Sequence, residues 1–184
     1  MNDDQHASVD RHPGDRGQAA SGALPTFTPY GAVHGGPPGQ RAGSAIAERL
    51  LRSHLELGAL ATAPGSARAH TRMVLAEWGL GELADISELL VSELTTNAVR
   101  ASRALPLPLP SSIHLWLRSD RQRVVVTVWD ADAQPPVLKD GGVDVENGRG
   151  LQIVAALSAG WGWYQPERVG GKCVWCELAC QPCT

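Results

Sequence analysis

The stretch Ser92-Glu93-Leu94-Thr95-Thr96-Asn97-Ala98-Val99-Arg100 is the part of this sequence that best indicates its fold. It lies in a long helix predicted from about Glu82 to Ser102, which ends before the prolines at positions 106, 108 and 110 because proline cannot continue a helix. At 100° per residue, one face of this helix is apolar and should pack on a sheet. That face consists of Ile86, Leu89, Leu90, Leu94 and Ala98.

Glu93 and Asn97 are predicted to lie in the middle of this apolar face. A buried, unpaired carboxylate costs several kcal/mol, so something polar should occupy the space that these two side chains face. Arg100 projects to the same side of the helix. The alternative is that Glu93 and Arg100 pair with each other inside the protein and bind no ligand, but the pattern favours a functional site.

Asp130 follows the predicted strand Val124–Trp129, which should form a hairpin with Ile113–Leu117. Asp130 is separated by an even number of residues from Val124, Val126 and Val128, which should face the core, so its carboxylate should also point inward. A carboxylate at a strand end can accept a hydrogen bond from an exocyclic amine, which is how many sites select adenine. The alternative is an ordinary aspartate that opens a turn.

A glycine-rich turn, Asn147-Gly148-Arg149-Gly150-Leu151, precedes a short helix predicted from Gly150 to about Ser158. Such a turn can direct backbone N–H groups and a helix N-terminus at phosphate. By itself a G-x-G pattern is weak evidence, because glycines also precede helices for plain turn reasons. The sequence lacks the rest of a Walker or Rossmann fingerprint.

The remaining elements are predicted from periodicity and turn residues. A short helix is expected within Ser44–Leu57, followed by a strand near Leu57–Thr62. Another helix should begin with Ser66 as its N-cap and end at Gly79, with Met73, Val74 and Trp78 as its apolar stripe. The long polar segment Ala131–Asn147 is a candidate lid, and strands are predicted near Trp161–Gln165 and Lys172–Ala179.

Composition bounds the class of protein. The 184 residues suit one domain, with a disordered tail at 1–42, a folded domain at 43–179 and a short tail at 180–184. A net charge of −3 gives no general attraction to nucleic acid or anionic membrane, so neither is an expected partner. The start of the chain lacks a signal peptide's apolar core, and no apolar run reaches membrane-spanning length, so a cytoplasmic location is expected.

All four cysteines, at positions 173, 176, 180 and 183, lie near the end of the chain in a C-x2-C-x3-C-x2-C pattern. This spacing invites a metal-site interpretation. However, Cys173 and Cys176 lie in a predicted strand, where a separation of three residues sends side chains to opposite faces. We therefore expect no metal site there.

Three motifs together resemble the Bergerat-fold, or histidine kinase-like, ATPases, and most closely the anti-sigma factor serine/threonine kinase branch of bacteria. Ser92–Arg100 resembles the N-box of that family. Val128-Trp129-Asp130-Ala131-Asp132 with Pro135 resembles its first glycine-box region, and Gly148–Val154 resembles its second. Trp161-Gly162 and Gly171–Leu178 resemble its closing strands, so the resemblance covers about Leu57 to Leu178.

The resemblance implies an α+β fold, a two-layer sandwich in which helices cover one face of a mixed, mainly antiparallel sheet. It implies ATP and Mg²⁺ as cofactors, with Glu93 as general base and Asn97 as the Mg²⁺ ligand. It further implies that Asp130 binds the adenine amine and that Gly148, Arg149, Gly150 and Leu151 contact phosphates, with Arg100 beside the nucleotide.

The function implied first is an ATP-dependent serine/threonine protein kinase that phosphorylates a partner regulator, such as an anti-anti-sigma protein. The alternative is a non-catalytic, nucleotide-responsive module that sequesters a sigma factor or another regulator. Two departures from the family pattern favour the module: Ala101 stands where a histidine is frequent, and Cys173 stands where a threonine or serine near the adenine is usual. The sequence leaves the oligomeric state open, a homodimer included.

Overall fold

The computed structural model of the chain describes residues 50–106, 111–137 and 149–180. Within these residues the elements follow one another as β1 (Leu51–Gly58), α1 (Ala63–Glu77), a 3₁₀ turn (Gly81–Leu83), α2 (Ala84–Ala104), β2 (Ser112–Ser119), β3 (Arg123–Asp130), α3 (Gly150–Leu157), β4 (Gly160–Tyr164) and β5 (Lys172–Ala179). The predictions for residues 1–42, for the proline connector after Pro106, for most of the candidate lid and for Gly148 lie outside the described residues.

The five described strands form one sheet in the order β1-β2-β3-β5-β4, and each pair of neighbours is antiparallel. Side chains alternate across the sheet, so the residues that the strands contribute to the core lie on one face. The three helices contribute to the core on that face. The fold is therefore the predicted two-layer α+β sandwich, with a wholly antiparallel sheet in the described part.

Helix α2 lies at the centre of the helical layer and packs against α1, α3 and β3. Leu90, Leu94 and Ala98 are buried as predicted. Leu89 is 41% exposed, so its assignment to the apolar face was wrong. Glu93 and Asn97 are half-buried, which places them at the border of the buried stripe and not at its middle. The stripe is rotated because α1 and α3 flank the helix on both sides.

The prediction of a helix within Ser44–Leu57 was wrong where the structure describes the chain, and the strand expected near Leu57–Thr62 lies earlier. Residues Leu51–Gly58 form β1, which pairs with β2 over its whole length. The local pattern has a period of two, since Leu51, Leu55 and Leu57 pack on the core while Arg52, His54 and Glu56 are exposed. Pairing with a distant strand decides this conformation.

Helix α1 begins earlier than predicted, at Ala63, with Thr62 as its N-cap, so Ser66 is not the capping residue. Pro64 lies in the first turn, where a missing N–H costs nothing. The predicted end is confirmed: Gly79 has a φ of +73°, and the N–H of Leu80 donates to the carbonyl of Leu75, as in a Schellman motif. Val74 and Trp78 are buried, whereas Met73 is 53% exposed.

Candidate functional site

A cleft of about 230 Å³ lies where α2, the first turn of α3 and the adjacent ends of β3 and β5 meet. This volume is below the ~300–1,000 Å³ of typical small-molecule pockets, so it suits one end of a ligand such as a planar base. The described lining residues are Leu94, Asn97, Ala98, Arg100, Ala101, Val128, Asp130, Asp132, Pro135, Pro136, Val137, Gly150, Leu151, Lys172 and Val174.

The fold brings together most of the candidate residues that the sequence suggested. Asn97, Arg100, Asp130, Gly150 and Leu151 all line the cleft, although they come from three separate parts of the chain. Arg149 is exposed and is not among the lining residues. Gly148 lies outside the described residues.

Glu93 does not line the cleft, but it adjoins the cleft through Gly150. A Cβ atom placed on Gly150 would come 2.5 Å from Glu93 Oε2 and 3.4 Å from Asn97 Nδ2. Both polar side chains of α2 therefore face the first residue of α3. The polar surroundings that the sequence required for Glu93 and Asn97 are supplied in part by this helix terminus.

The first turn of α3 is suited to bind an anion. The first N–H groups of an α-helix have no intrahelical acceptor and carry the positive end of the helix dipole. Gly150 and Leu151 present this turn at the cleft, and the turn has no acidic residue of its own. Phosphate is the anion most often bound in this way.

Asp130 lies at the inner end of the cleft, 1% exposed, on the core-facing side of β3 as predicted. Its Oδ1 accepts a hydrogen bond from Lys172 Nζ at 2.8 Å and a second from the backbone N–H of Asp132 at 3.0 Å. Among the described residues, the hydrogen bonds to this carboxylate fall on Oδ1. Oδ2 is therefore the oxygen that can accept a bond from a ligand.

The buried ammonium of Lys172 is held by three acceptors. Besides Asp130 Oδ1, Nζ donates to the carbonyl oxygen of Asp132 at 3.0 Å and to Asp132 Oδ2 at 3.2 Å. Burial raises the pKa of the Asp130 carboxyl above its ordinary value, and the ammonium of Lys172 opposes that rise. The ion pair with Lys172 therefore favours the ionised form of Asp130 against the effect of burial.

Backbone geometry places Lys172 opposite Asp130. The two residues are direct partners in the β3–β5 ladder, at the end of the core-facing row. The indole N–H of Trp129 donates to the carbonyl oxygen of Gly170 at 2.9 Å, which fastens the start of β5 to the end of β3. Gly171 has a φ of +68°, and a Cβ there would collide with the carbonyl oxygen of Asp130.

Sequence reasoning missed Lys172 as a site residue. The sequence did contain a signal for it. Asp130 ends one predicted strand and Lys172 begins another, and each continues the alternation of the apolar, inward-facing residues in its own strand. Opposite charges across an antiparallel pair stabilise that register. However, the pairing of β3 with β5 had to be known before the two residues could be matched.

The described cysteines do not contribute to the cleft. In β5, Cys176 faces the core and Cys173 lies on the other face of the sheet, as the spacing predicted. Burial raises the pKa of Cys173 to about 11 and that of Cys176 to about 12, so both thiols are protonated at neutral pH. Cys173 is therefore turned away from any ligand in the cleft.

Chemically, the cleft offers a carboxylate that can accept a hydrogen bond from an amine and a helix terminus that is suited to an anion. Asn97 adds a carboxamide to the lining, and Glu93 adds a carboxylate beside the helix terminus. An amine-bearing base joined to phosphates matches this set of groups.

Comparison with known families agrees with this geometry. The sequence profile described as "histidine kinase-like ATPase domain" matches residues 58–176, which is more than half of the chain. A search of curated proteins found no match. No helix among the described residues combines the length and the apolarity needed to cross a bilayer.

Proposed function

The chain belongs to the histidine kinase-like ATPase domain family, which implies ATP binding, and on that premise we propose that it is a serine/threonine protein kinase that phosphorylates a partner regulator. The observation that carries the proposal is the meeting of Glu93, Asn97 and Gly150 beside the cleft. It brings a carboxylate and a carboxamide side chain to the helix terminus that suits phosphate.

In this proposal the adenine lies against Val128, Val174 and Asp130, with its exocyclic amine donating to Asp130 Oδ2. The phosphates extend toward Gly150 and Leu151 at the N-terminus of α3. The placement is supported by the two ends of the cleft, because a carboxylate accepts only donors and a helix N-terminus prefers anions.

Asn97 would hold Mg²⁺ together with the nucleotide's phosphates. Among the described residues no cluster of three or more histidine, cysteine or acidic side chains could hold a metal ion by itself. Mg²⁺ in phosphoryl-transfer sites is commonly held by one or two protein oxygens plus substrate phosphates and water, and one amide oxygen in the cleft fits that pattern. When bound, the ion offsets negative charge on the phosphates.

Glu93 would act as the general base. Its carboxylate accepts the proton of a serine or threonine hydroxyl on the partner as that oxygen bonds to the γ-phosphorus, and ADP leaves with the electrons of the broken P–O bond. The contact of Glu93 with Gly150, at the helix terminus that suits phosphate, supports this role.

The second candidate is a non-catalytic module in which the nucleotide regulates binding to a sigma factor or a similar regulator. The orientation of Cys173 favours it, because this residue replaces the family's usual hydroxyl near the adenine and lies on the face away from the cleft. A base bound mainly through Asp130 would have one polar contact fewer. Such a module would bind ATP but transfer no phosphate.

The experiment is phosphate transfer from γ-labelled Mg²⁺–ATP to candidate anti-anti-sigma proteins, with the wild type, Glu93→Ala and Glu88→Ala. Glu88 is the matched control, since it lies on α2 but contacts Arg72 of α1. Transfer by the wild type and Glu88→Ala, with loss in Glu93→Ala, supports the kinase. ATP binding without transfer to any partner supports the module, and absence of ATP binding overturns both.

A further inference from the structure

Lys172 is a buried, charged residue of the cleft to which the proposed function gives no role. It is 4% exposed, and its ammonium contacts Asp130 and Asp132 at distances of 2.8–3.2 Å. The three donors of the ammonium match three acceptor atoms, so Lys172 has no N–H left for a ligand. Any effect on the ligand must therefore act through the residues that Lys172 contacts, and Asp130 is the buried one of these.

We propose that Lys172 is a positioning residue that sets the base specificity of the cleft, because it holds Asp130 as an ionised acceptor with Oδ2 turned to the ligand. The inference rests on the proposed nucleotide site. An ionised carboxylate accepts hydrogen bonds and donates none, so it selects a base that carries an amine over one that carries a carbonyl. A protonated carboxyl can donate to a carbonyl and would lose that selection.

The geometry supports both parts of this role. Lys172 Nζ and the N–H of Asp132 both occupy Oδ1, which fixes the plane of the carboxylate. The backbone cannot shift to relax the pair, because the glycine turn before Lys172 is packed against Trp129 and Asp130. The remaining oxygen is the one that a ligand meets.

The charge state of Asp130 depends on a small set of neighbours. Lys172 favours the ionised form, whereas burial and the carboxylate of Asp132 favour the protonated form. Arg100 of α2 lines the same cleft and carries a constant positive charge, and the Cys173 thiol stays neutral below its pKa of about 11. Removal of Lys172 would therefore take away both the side-chain hydrogen bond and the opposite charge that offset burial, and would leave the backbone N–H of Asp132 as the remaining group in this set that favours the ionised form.

The test compares affinities of the full chain for Mg²⁺–ATP and Mg²⁺–ITP by calorimetry between pH 6 and 9. ITP carries a carbonyl where ATP carries the amine. The wild type should prefer ATP by roughly 10- to 100-fold, the usual worth of a hydrogen bond to a charged group. Lys172→Met should bring the preference to within about threefold at pH 6 and restore it as the pH rises. Lys172→Arg, which keeps the charge, should retain the preference.

Arg123→Met is the matched control, because Arg123 forms an ion pair with Asp120 at the opposite end of β3. It should leave the ATP to ITP ratio unchanged. A folded Lys172→Met protein with the wild-type ratio at every pH, or one that loses both nucleotides equally, would overturn the proposal.

Where Lys172→Met does not fold, the wild type and Lys172→Arg still test the inference. A wild type that binds ATP and ITP equally overturns it, as does a Lys172→Arg protein that binds ATP but has lost the preference. Failure of the wild type to bind any nucleotide overturns the proposed function itself and is thereby distinguished from a failure of the inference.

Discussion

Gly150, the first residue of α3, lies so close to Glu93 of α2 that a Cβ atom on Gly150 would come 2.5 Å from Glu93 Oε2. The backbone of Gly150 is in an ordinary helical conformation, so the requirement for glycine comes from this close approach. The contact couples the helix that bears the candidate base to the turn that suits phosphate.

Gly150→Ala should therefore displace the Glu93 carboxylate and cost less than the about 1–3 kcal/mol of overpacking a rigid core, because the colliding atom is the end of a flexible side chain. In the Glu93→Ala background the same substitution should cost less, because the carboxylate that it meets is absent. A double-mutant cycle by urea denaturation measures this coupling. Equal costs in both backgrounds would show that the contact is easily relieved.

Glu93 and Asn97 should separate phosphate transfer from nucleotide binding. Glu93→Ala should keep much of the affinity for Mg²⁺–ATP and lose roughly 10²–10⁴-fold in transfer rate, since a general base acts on the nucleophile. Asn97→Ala should lose the Mg²⁺-dependent part of binding. Calorimetry with and without Mg²⁺, paired with transfer to the same partner, checks both, and identical behaviour of the two variants would contradict the assigned roles.

Asp130→Asn should weaken ATP binding by about 1–3 kcal/mol, because one of two acceptor oxygens becomes a donor. The amide keeps an oxygen for Lys172, so the fold should survive. Asp120→Asn, the same change at the opposite end of β3, should leave the affinity unchanged. Unchanged ATP affinity in a folded Asp130→Asn protein would reduce Asp130 to a structural partner of Lys172.

The two glycines before β5 should respond differently to alanine. Both have positive φ, which costs a non-glycine residue roughly 1–2 kcal/mol. A Cβ on Gly170 meets nothing within 4 Å, whereas one on Gly171 collides with the Asp130 carbonyl oxygen and the Trp129 indole. Thermal denaturation should thus show a clearly larger loss for Gly171→Ala than for Gly170→Ala, and equal losses would mean that the turn adapts.

Acidification should destabilise the protein through His70 and His114. Burial lowers the pKa of both imidazoles below the ordinary value. The unfolded chain then binds more protons than the folded one, so stability is complete above about pH 6.5 and is lost as the pH falls from there toward the folded-state pKa values. The raised pKa of Asp130 acts in the opposite direction, because protonation favours the folded state for that group.

The comparison of wild type with a His70→Gln/His114→Gln variant isolates the histidines. Denaturation at a series of pH values from 8 to 5 should give a flatter profile for the variant. A variant whose stability falls as steeply as that of the wild type would assign the acid sensitivity to other groups.

Local pattern was sufficient for the elements whose conformation depends on near neighbours. Helix α2 carries its own apolar periodicity, and the β2–β3 hairpin and β5 alternate clearly, so their positions were predicted within a few residues. The inward direction of Asp130 followed from strand parity alone.

The sequence by itself therefore determined the class of fold, the order of the central elements and most of the residues of the candidate site. Only the tertiary structure decided that 51–58 is a strand, that Glu93 lies at the border of the buried stripe beside Gly150, and that Lys172 holds Asp130. Each of these depends on a partner far along the chain. Local periodicity shows which side of a helix or strand is apolar. Which polar groups meet is set by the packing of elements that are distant in sequence, because side chains are removed from water only when those elements pack together.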